Sequence, residues 1–395
     1  MREDPRIVAA YAHIAGTHES RLADMVTLNE VPAPPFGEEA RAVVFAEMMR
    51  ETGFGEVVID AVGNVVATRA GTGDGRSVMV AAHLDTVFPI ETDVTVRIEG
   101  NRYTAPGIGD NTRGAIMLLQ FASAIAEADI QTDGDVILVG NIGEEGLGDL
   151  RGVRHLFREG ADRPDSFIAI DGGNETRLVT SAVGSNRYRV TFNGPGGHSW
   201  GNFGDANPHH AAARAITRFI NAAHPITQEG PRSSYSIGRT GGGTSVNSIA
   251  FESWFEVDMR SGDPAKIEAL DAAFHQAMAD GLEAENAVRG GGELLTVEIE
   301  SIGRRPAGRG SLNTSLVRRA GILYAAEGIR PSFVASSTDS NIPISLGIPA
   351  ITISRCGNSQ RAHSLDEYWE DDGNVPLCTM RGLMLVLAEA GLTEN

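Results

Sequence analysis

The sequence predicts an α/β domain, with a mixed and largely parallel sheet between helices, that is interrupted by a smaller α+β domain. Two hydrophobic patterns along the chain predict this fold class. Apolar runs rich in β-branched residues alternate with helical patterns before residue 182 and again after residue 303, as in sheets covered by helices on both faces. Between them, residues 182–303 hold strictly alternating strands, which are typical of half-exposed antiparallel sheets. The predicted segments are 1–181, 182–303 and 304–395.

The outer segments supply the elements of the larger domain. A helix runs from the N-terminus to about Leu28, and the turn Gly63-Asn64 joins two short alternating strands into a hairpin. Further elements are predicted from apolar periodicity: strands at 78–82, 136–139, 167–170 and 350–353, and helices at 114–128, 312–327 and 379–390.

The middle segment has its own order of elements. A strand near residues 188–192 is followed by a helix after Asn207-Pro208, two strands within 244–261, a helix at 264–285 and a strand near 297–300. This β-α-β-β-α-β order predicts a split βαβ, ferredoxin-like fold.

Composition excludes several classes of partner. The 52 Asp and Glu residues outnumber the 33 Lys and Arg residues, which gives a formal charge of −19 and argues against nucleic acid or anionic membrane as a partner. No apolar run reaches the roughly 18 residues of a membrane span. The acidic N-terminus lacks a signal-peptide pattern, and the two cysteines, Cys356 and Cys378, predict no disulfide framework. We therefore expect a cytoplasmic protein.

Potential metal ligands follow the predicted strands. His83 comes directly after the run 78–82, and ligands gather at the carboxyl ends of strands in α/β sheets. Asp85, two residues on, is placed to accept a hydrogen bond from the second ring nitrogen of a metal-bound His83. By itself, however, this pair also fits a purely structural role.

Acidic residues follow the next two strands. Glu144-Glu145 is flanked by glycines, and two adjacent carboxylates there would tolerate their repulsion if one held a cation and the other acted as a base. A solvated turn is the alternative for such a pair taken alone. Asp171 ends the third strand in the same way.

Two further candidates complete the set. Asp110 lies on a glycine-rich turn just before a helix, where it also fits an N-cap, and His363 lies past the inserted segment. Two histidines and three carboxylates suit a pair of Zn²⁺, Co²⁺ or Mn²⁺ ions.

The order of these residues resembles the dinuclear metallopeptidase family. That family contains peptidase T, carboxypeptidase G, aminoacylase, and the acetylornithine deacetylase and succinyl-diaminopimelate desuccinylase group. The resemblance spans nearly the whole chain, and it includes the turn Val31-Pro32-Ala33-Pro34 with Gly37-Glu38-Glu39 and the segment Gly194-Pro195-Gly196-Gly197-His198-Ser199.

The resemblance implies roles for the metal ligands. Asp110 would bridge two divalent ions, Zn²⁺ first among the candidates. His83 and Asp171 would complete one ion's site, and Glu145 and His363 the other's. Relatives also have a cis peptide between Asp110 and the next residue.

It further implies the catalytic and substrate-binding groups. Glu144 would be the general base that takes a proton from the metal-bridging water, and Asp85 would orient His83. The inserted domain would serve as lid and homodimer interface, from which His198 would reach the neighbouring subunit's site to stabilise the oxyanion. Asn247 and Arg260 would face the substrate, the arginine as a carboxylate anchor.

The resemblance also bears on the substrate. An Asp at position 171 goes with aminopeptidases and dipeptidases in that family, which favours hydrolysis of a di- or tripeptide. N-acyl amino acid hydrolysis is the main alternative, followed by hydrolytic deamination and a non-catalytic binding protein. The chain departs from its relatives at Asn111-Thr112-Arg113 and Ser336-Ser337-Thr338-Asp339, positions that we expect to lie near the substrate or to shape its pocket.

Overall fold

The structure is a computed structural model that describes residues 2–393. It divides into two compact units. The first comprises the chain up to Ala182 and from Arg309 onward, and the second is Val183–Gly308. Among residues 2–393, no helix combines the length and the apolar character that a membrane crossing needs.

Residues 2–182 contain the first part of the larger unit. The helices are α1 (Pro5–Gly16), α2 (His18–Asn29), α3 (Glu39–Glu51), α4 (Arg113–Glu127) and α5 (Arg151–Leu156). The strands are β1 (Glu56–Ile59), β2 (Val65–Arg69), β3 (Val78–His83), β4 (Arg97–Glu99), β5 (Arg102–Thr104), β6 (Val136–Asn141), β7 (Ser166–Ile170) and β8 (Arg177–Ala182). The single N-terminal helix of the prediction is thus two helices, which meet at Thr17.

The second unit is a split βαβ fold, as predicted. Its strands are β9 (Gly184–Asn193), β10 (Gly197–His198), β11 (Ser233–Gly242), β12 (Ser248–Ile249), β13 (Glu252–Ser261) and β14 (Thr296–Arg305). Its helices, α6 (Pro208–Gln228) and α7 (Pro264–Val288), each begin with proline after a capping Asn207 or Asp263. The main sheet is antiparallel in the order β11-β13-β9-β14, so its second strand, β11, lies before the range 244–261 in which two strands were predicted.

The chain then returns to the larger unit. Its last strands are β15 (Gly308–Arg309), β16 (Ser332–Ser336), β17 (Ala350–Ile353), β18 (Asn358–Gln360) and β19 (Tyr368–Glu370). Its last helices are α8 (Ser315–Ala326), α9 (Asn341–Ser345) and α10 (Val375–Ala390).

A mixed sheet forms the centre of the larger unit and confirms the predicted class. Its order is β1-β2-β6-β3-β7-β17-β8-β15, with β16 beside β8. Strands β6, β3, β7 and β17 run parallel to one another, and every residue of β3 is buried. Because parallel strands end at the same edge, the residues that follow these four strands share one edge of the sheet.

A smaller antiparallel sheet lies in the same unit. Its order is β18-β19-β5-β4, and the hairpin of β18 and β19 carries the loop that contains His363.

The two cysteines are paired in a single disulfide, which the sequence analysis did not predict and which is less than the disulfide framework that it excluded. Cys356 and Cys378 form a disulfide with Cα atoms 5.8 Å apart. The fold brings the loop after β17 against the start of α10, and no local sequence pattern signals that approach.

Candidate metal centre

The ends of four strands place charged and metal-ligating side chains at one edge of the central sheet. His83 is the last residue of β3, Glu144-Glu145 follows β6, Asp171 follows β7, and Arg355 follows β17. Most of these side chains are buried: His83 is 1% exposed, Glu144 4% and Glu145 8%. A sheet edge of this kind is the usual ligand-binding position in α/β folds.

Asp110 reaches the same edge from a turn at the start of α4. The peptide between Asp110 and Asn111 is cis, as the resemblance implies. The carboxylate of Glu367 accepts hydrogen bonds from the backbone N–H groups of Gly107, Gly109 and Asp110 at 3.0, 2.9 and 2.7 Å. Glu367 therefore fixes the backbone that presents Asp110.

The candidate ligands form two groups that share Asp110. His83, Asp110 and Asp171 form one group, and Asp110, Glu145 and His363 form the other; in each, the donor atoms lie within 4.8 Å of one another. Asp110 Oδ1 lies 3.3 Å from His83 Nε2, and Asp110 Oδ2 lies 3.5 Å from His363 Nε2. Each oxygen of this carboxylate thus faces a different histidine.

Glu144 lies against both groups. With His83 and Glu145 it forms a third group of possible ligands, whose donor atoms lie within 4.8 Å of one another. A carboxylate at this position is adjacent to the ligands and suits a base that accepts a proton at the centre.

The electrostatics of the centre favour cations. Burial raises the pKa of Asp110, but Arg355, His363 and His83 outweigh it and hold that pKa well below its usual range. Burial and the neighbouring Asp110 raise the pKa of Asp171. Hydrogen bonds with Asp110 and Glu145 raise the pKa of His363 to about 10. The same negative charges that favour a protonated imidazole would favour a metal ion.

The donor set fits two divalent ions. Imidazole nitrogens and carboxylate oxygens are ligands of Zn²⁺, Co²⁺ and Mn²⁺, and two overlapping groups with one shared carboxylate provide adjacent positions for them.

Asp85 makes a different contact from the one expected. The Nδ1 atom of His83 lies 3.0 Å from the backbone carbonyl oxygen of Asp85, whereas the nearest carboxylate oxygen of Asp85 is 3.7 Å away. That carboxylate instead accepts hydrogen bonds from the backbone N–H groups of Glu144 and Glu145, at 2.9 and 2.7 Å. Its oxygens are occupied by the Glu-Glu turn, so the main chain of Asp85 holds His83.

The sequence analysis assigned no individual role to three polar residues at the centre. Arg355 donates to Asp110 Oδ1 at 2.9 Å, and its position shortly after the predicted strand 350–353 was the available signal for it. Glu367 closes the motif around His363, which was the available signal for it. Asp339 accepts a hydrogen bond from Asn141 at 2.9 Å, and burial raises the pKa of Asp339 to about 7.

Arg113 and Thr338, two of the positions where the chain departs from its relatives, are buried. Arg113 is 1% exposed, donates to Gln120 and Thr379, and lies over the ring of Trp369. Thr338 is also buried, and its hydroxyl bonds that of Thr352 at 2.7 Å. Both side chains are buried, and the expectation that these positions lie near the substrate or shape its pocket stays a prediction.

The remaining candidates belong to the second unit. His198 in β10 is exposed, and its Nδ1 accepts from the backbone N–H of Trp200 at 3.2 Å. Asn247 lies beside it, since its carbonyl oxygen accepts from the N–H of Ser199 at 3.0 Å. Arg260 lies near the end of β13, where its guanidinium pairs with Asp258 at 2.7 Å.

The fold and the two groups of ligands define a class of dinuclear metal hydrolases. Residues 79–380 match the model of Peptidase family M20/M25/M40, and the chain belongs to this family. It is a hydrolase that acts on carbon–nitrogen bonds.

Individual relatives are distant. The protein YqjE of Bacillus subtilis (strain 168) is 24% identical over 302 residues, which cover 74% of this chain and 76% of that protein. Succinyl-diaminopimelate desuccinylase of Corynebacterium glutamicum is 24% identical over 356 residues, 88% of this chain and 92% of that enzyme. The crystal structure of aminopeptidase PepT from Bacillus cereus ATCC 10987 has a TM-score of 0.74 at 20% identity and covers 94% of this chain and 98% of that one.

Proposed function

We propose that the protein hydrolyses an amide bond of a small peptide, with two divalent ions bound at the candidate metal centre. The observation that carries the proposal is the shared carboxylate of Asp110, whose oxygens face His83 on one side and His363 on the other. Two such ions, when bound, activate water and polarise a carbonyl group.

The residues of this chain divide the work. His83 and Asp171 would hold one ion and Glu145 and His363 the other, with Asp110 between them. Glu144 would accept a proton from the attacking water and pass it to the leaving amine. Its position against the ligands supports this role, because proton transfer needs a base within hydrogen-bond reach.

A small peptide is the first choice of substrate, and Asp171 favours it through the family resemblance. The shared fold with aminopeptidase PepT is consistent with that choice. An N-acylated amino acid is the second candidate, because the desuccinylase of C. glutamicum matches 88% of this chain.

Several finer features are part of the proposal. The ions would be Zn²⁺, the protein would be a cytoplasmic homodimer joined through the second unit, and His198 would act in the partner's site. Asn247 and Arg260 would contact the substrate. Exposure of His198 on the short strand β10 is compatible with a role in another subunit.

A substrate screen tests the proposal. The metal-loaded protein is incubated with a pool of di- and tripeptides with free N-termini and with a pool of N-acylated amino acids, and losses are measured by mass spectrometry. We expect the free peptides to be consumed, and consumption to stop in excess chelator. Consumption of the acylated pool alone would make the protein a deacylase, and full activity in chelator would refute metal-dependent hydrolysis.

A further inference from the structure

Arg355 is built into the candidate metal centre. It is 3% exposed and follows β17, which lies parallel to β7. Its backbone N–H donates to the carbonyl of Gly172 at 3.1 Å, so the loop after β17 is tied to the loop that carries Asp171. The next residue, Cys356, is bonded to Cys378 in α10. The backbone of Arg355 is therefore fixed on both sides.

The guanidinium contacts the ligands of one ion. Nη1 lies 2.9 Å from Asp110 Oδ1 and 3.4 Å from Asp171 Oδ1, and Nη2 lies 3.3 Å from the hydroxyl of Ser359. An arginine keeps its charge even when buried. A permanent positive charge thus lies within hydrogen-bond distance of one candidate ligand and within ion-pair distance of another.

Arg355 lies on the side of Asp110 that faces His83. Asp110 Oδ1, which accepts from Arg355, is also the oxygen 3.3 Å from His83 Nε2. Asp110 Oδ2 instead faces His363. An ion held beside His83 would share Asp110 Oδ1 with the guanidinium, and the positive charge of Arg355 would repel that ion at short range. An ion held beside His363 would use Asp110 Oδ2 instead.

We propose that Arg355 is a fixed cation of the metal centre, which weakens binding of the ion held by His83, Asp110 and Asp171 relative to the ion held by Asp110, Glu145 and His363. The same cation stabilises the protein stripped of metal, because it neutralises two acidic side chains that would otherwise lie together at this edge. This inference rests on the two-metal centre of the proposed function, and it makes Arg355 a positioning residue that sets metal affinity.

Metal binding tests the inference without a substrate. Protein stripped by chelator is titrated with Zn²⁺ in a calorimeter, and its thermal unfolding is followed with and without Zn²⁺. In the wild type we expect two binding steps whose dissociation constants differ at least tenfold. In Arg355→Met the weaker step should tighten at least tenfold, the metal-free protein should unfold at a lower temperature, and the rise in Tm on adding Zn²⁺ should be larger.

Two variants serve as controls. Arg355→Lys retains the charge and should retain the weak step. Arg381→Met removes another buried arginine, which pairs with Glu175 and Glu327, and should lower stability without changing either metal affinity. General damage to the fold would weaken metal binding, so a gain of affinity in Arg355→Met separates the charge effect from a structural one.

The outcomes that overturn the inference are distinct. An unchanged or weaker second step in folded Arg355→Met would overturn it. If that variant does not fold, His83→Ala should retain the tighter ion and His363→Ala only the weaker one, and the reverse order would overturn it. Two Zn²⁺ binding steps of equal affinity in the wild type would refute the proposed role of Arg355 but not the proposed function. No bound ion at all would refute the proposed function.

Discussion

Asp85 illustrates how one buried carboxylate sets the geometry of the site. It is fully buried, and both of its oxygens accept backbone N–H groups from the Glu144-Glu145 turn. Leaving a buried N–H unpaired costs about 1–3 kcal/mol. The turn is thus held by an acid that need not touch an ion, and the position of the candidate base depends on it.

Replacing this acid should impair both stability and activity. In Asp85→Asn an amide N–H₂ replaces an oxygen that faces a backbone N–H, so we expect a lower Tm and at least a tenfold loss of kcat. Thermal unfolding and steady-state kinetics measure the two effects. Asp165→Asn is the control, because Asp165 also accepts a backbone N–H, that of Ser77, but at the opposite ends of β3 and β7. Wild-type kcat in Asp85→Asn would contradict the account.

At the residue scale, the sequence predicts the candidate metal ligands better than it predicts the residues that hold those ligands in place. His83, Glu145 and Asp171 stand next to recognisable buried strands, so their common edge follows from strand order. The contacts of Arg355 and the hydrogen-bond partners of Asp85 depend on loops that are distant in sequence, and no local pattern encodes them.

At the scale of elements, helix α1 carries a half-buried histidine, His13, that makes folding stability depend on pH. The Nε2 atom of His13 is buried and has no hydrogen-bond partner among the described residues. Burial lowers the pKa of His13 below its usual value. His13 therefore binds a proton more readily in the unfolded chain than in the folded protein. As a result, the free energy of unfolding decreases as the pH drops below about 6.5.

A matched pair of variants tests this effect. Between pH 7.5 and pH 5.5 the Tm of the wild type should fall more than that of His13→Gln, which cannot take up the proton. His224→Gln, at an exposed position of α6, should follow the wild type. Equal pH dependence of the wild type and His13→Gln would show that this histidine does not affect stability.

Periodicity predicts the elements well where a face is buried. The fully buried β3 and the almost fully buried α4 appear within a residue or two of their predicted bounds. The break at Thr17 is missed, because apolar residues continue on both sides of it and the two helices meet without a loop.

At the scale of the whole molecule, the order of elements predicts one α/β unit interrupted by a split βαβ unit, and both folds are found. The change of hydrophobic pattern along the chain is enough to predict both folds, because parallel and antiparallel sheets differ in burial and hence in hydrophobic pattern. The disulfide between Cys356 and Cys378 could not be foreseen, because it depends on how α10 packs beside the loop after β17.

The most direct test of the central claim measures bound metal and turnover in Glu144→Gln. This substitution keeps the shape of the side chain but removes its capacity to accept a proton at neutral pH, and general-base catalysis typically contributes about 10²–10⁴-fold to a rate. We predict two divalent ions per chain in both the wild type and the variant, with kcat reduced at least 10²-fold. Turnover close to the wild-type value at full metal content would contradict the role of Glu144, and fewer than two ions in the wild type would contradict the dinuclear centre.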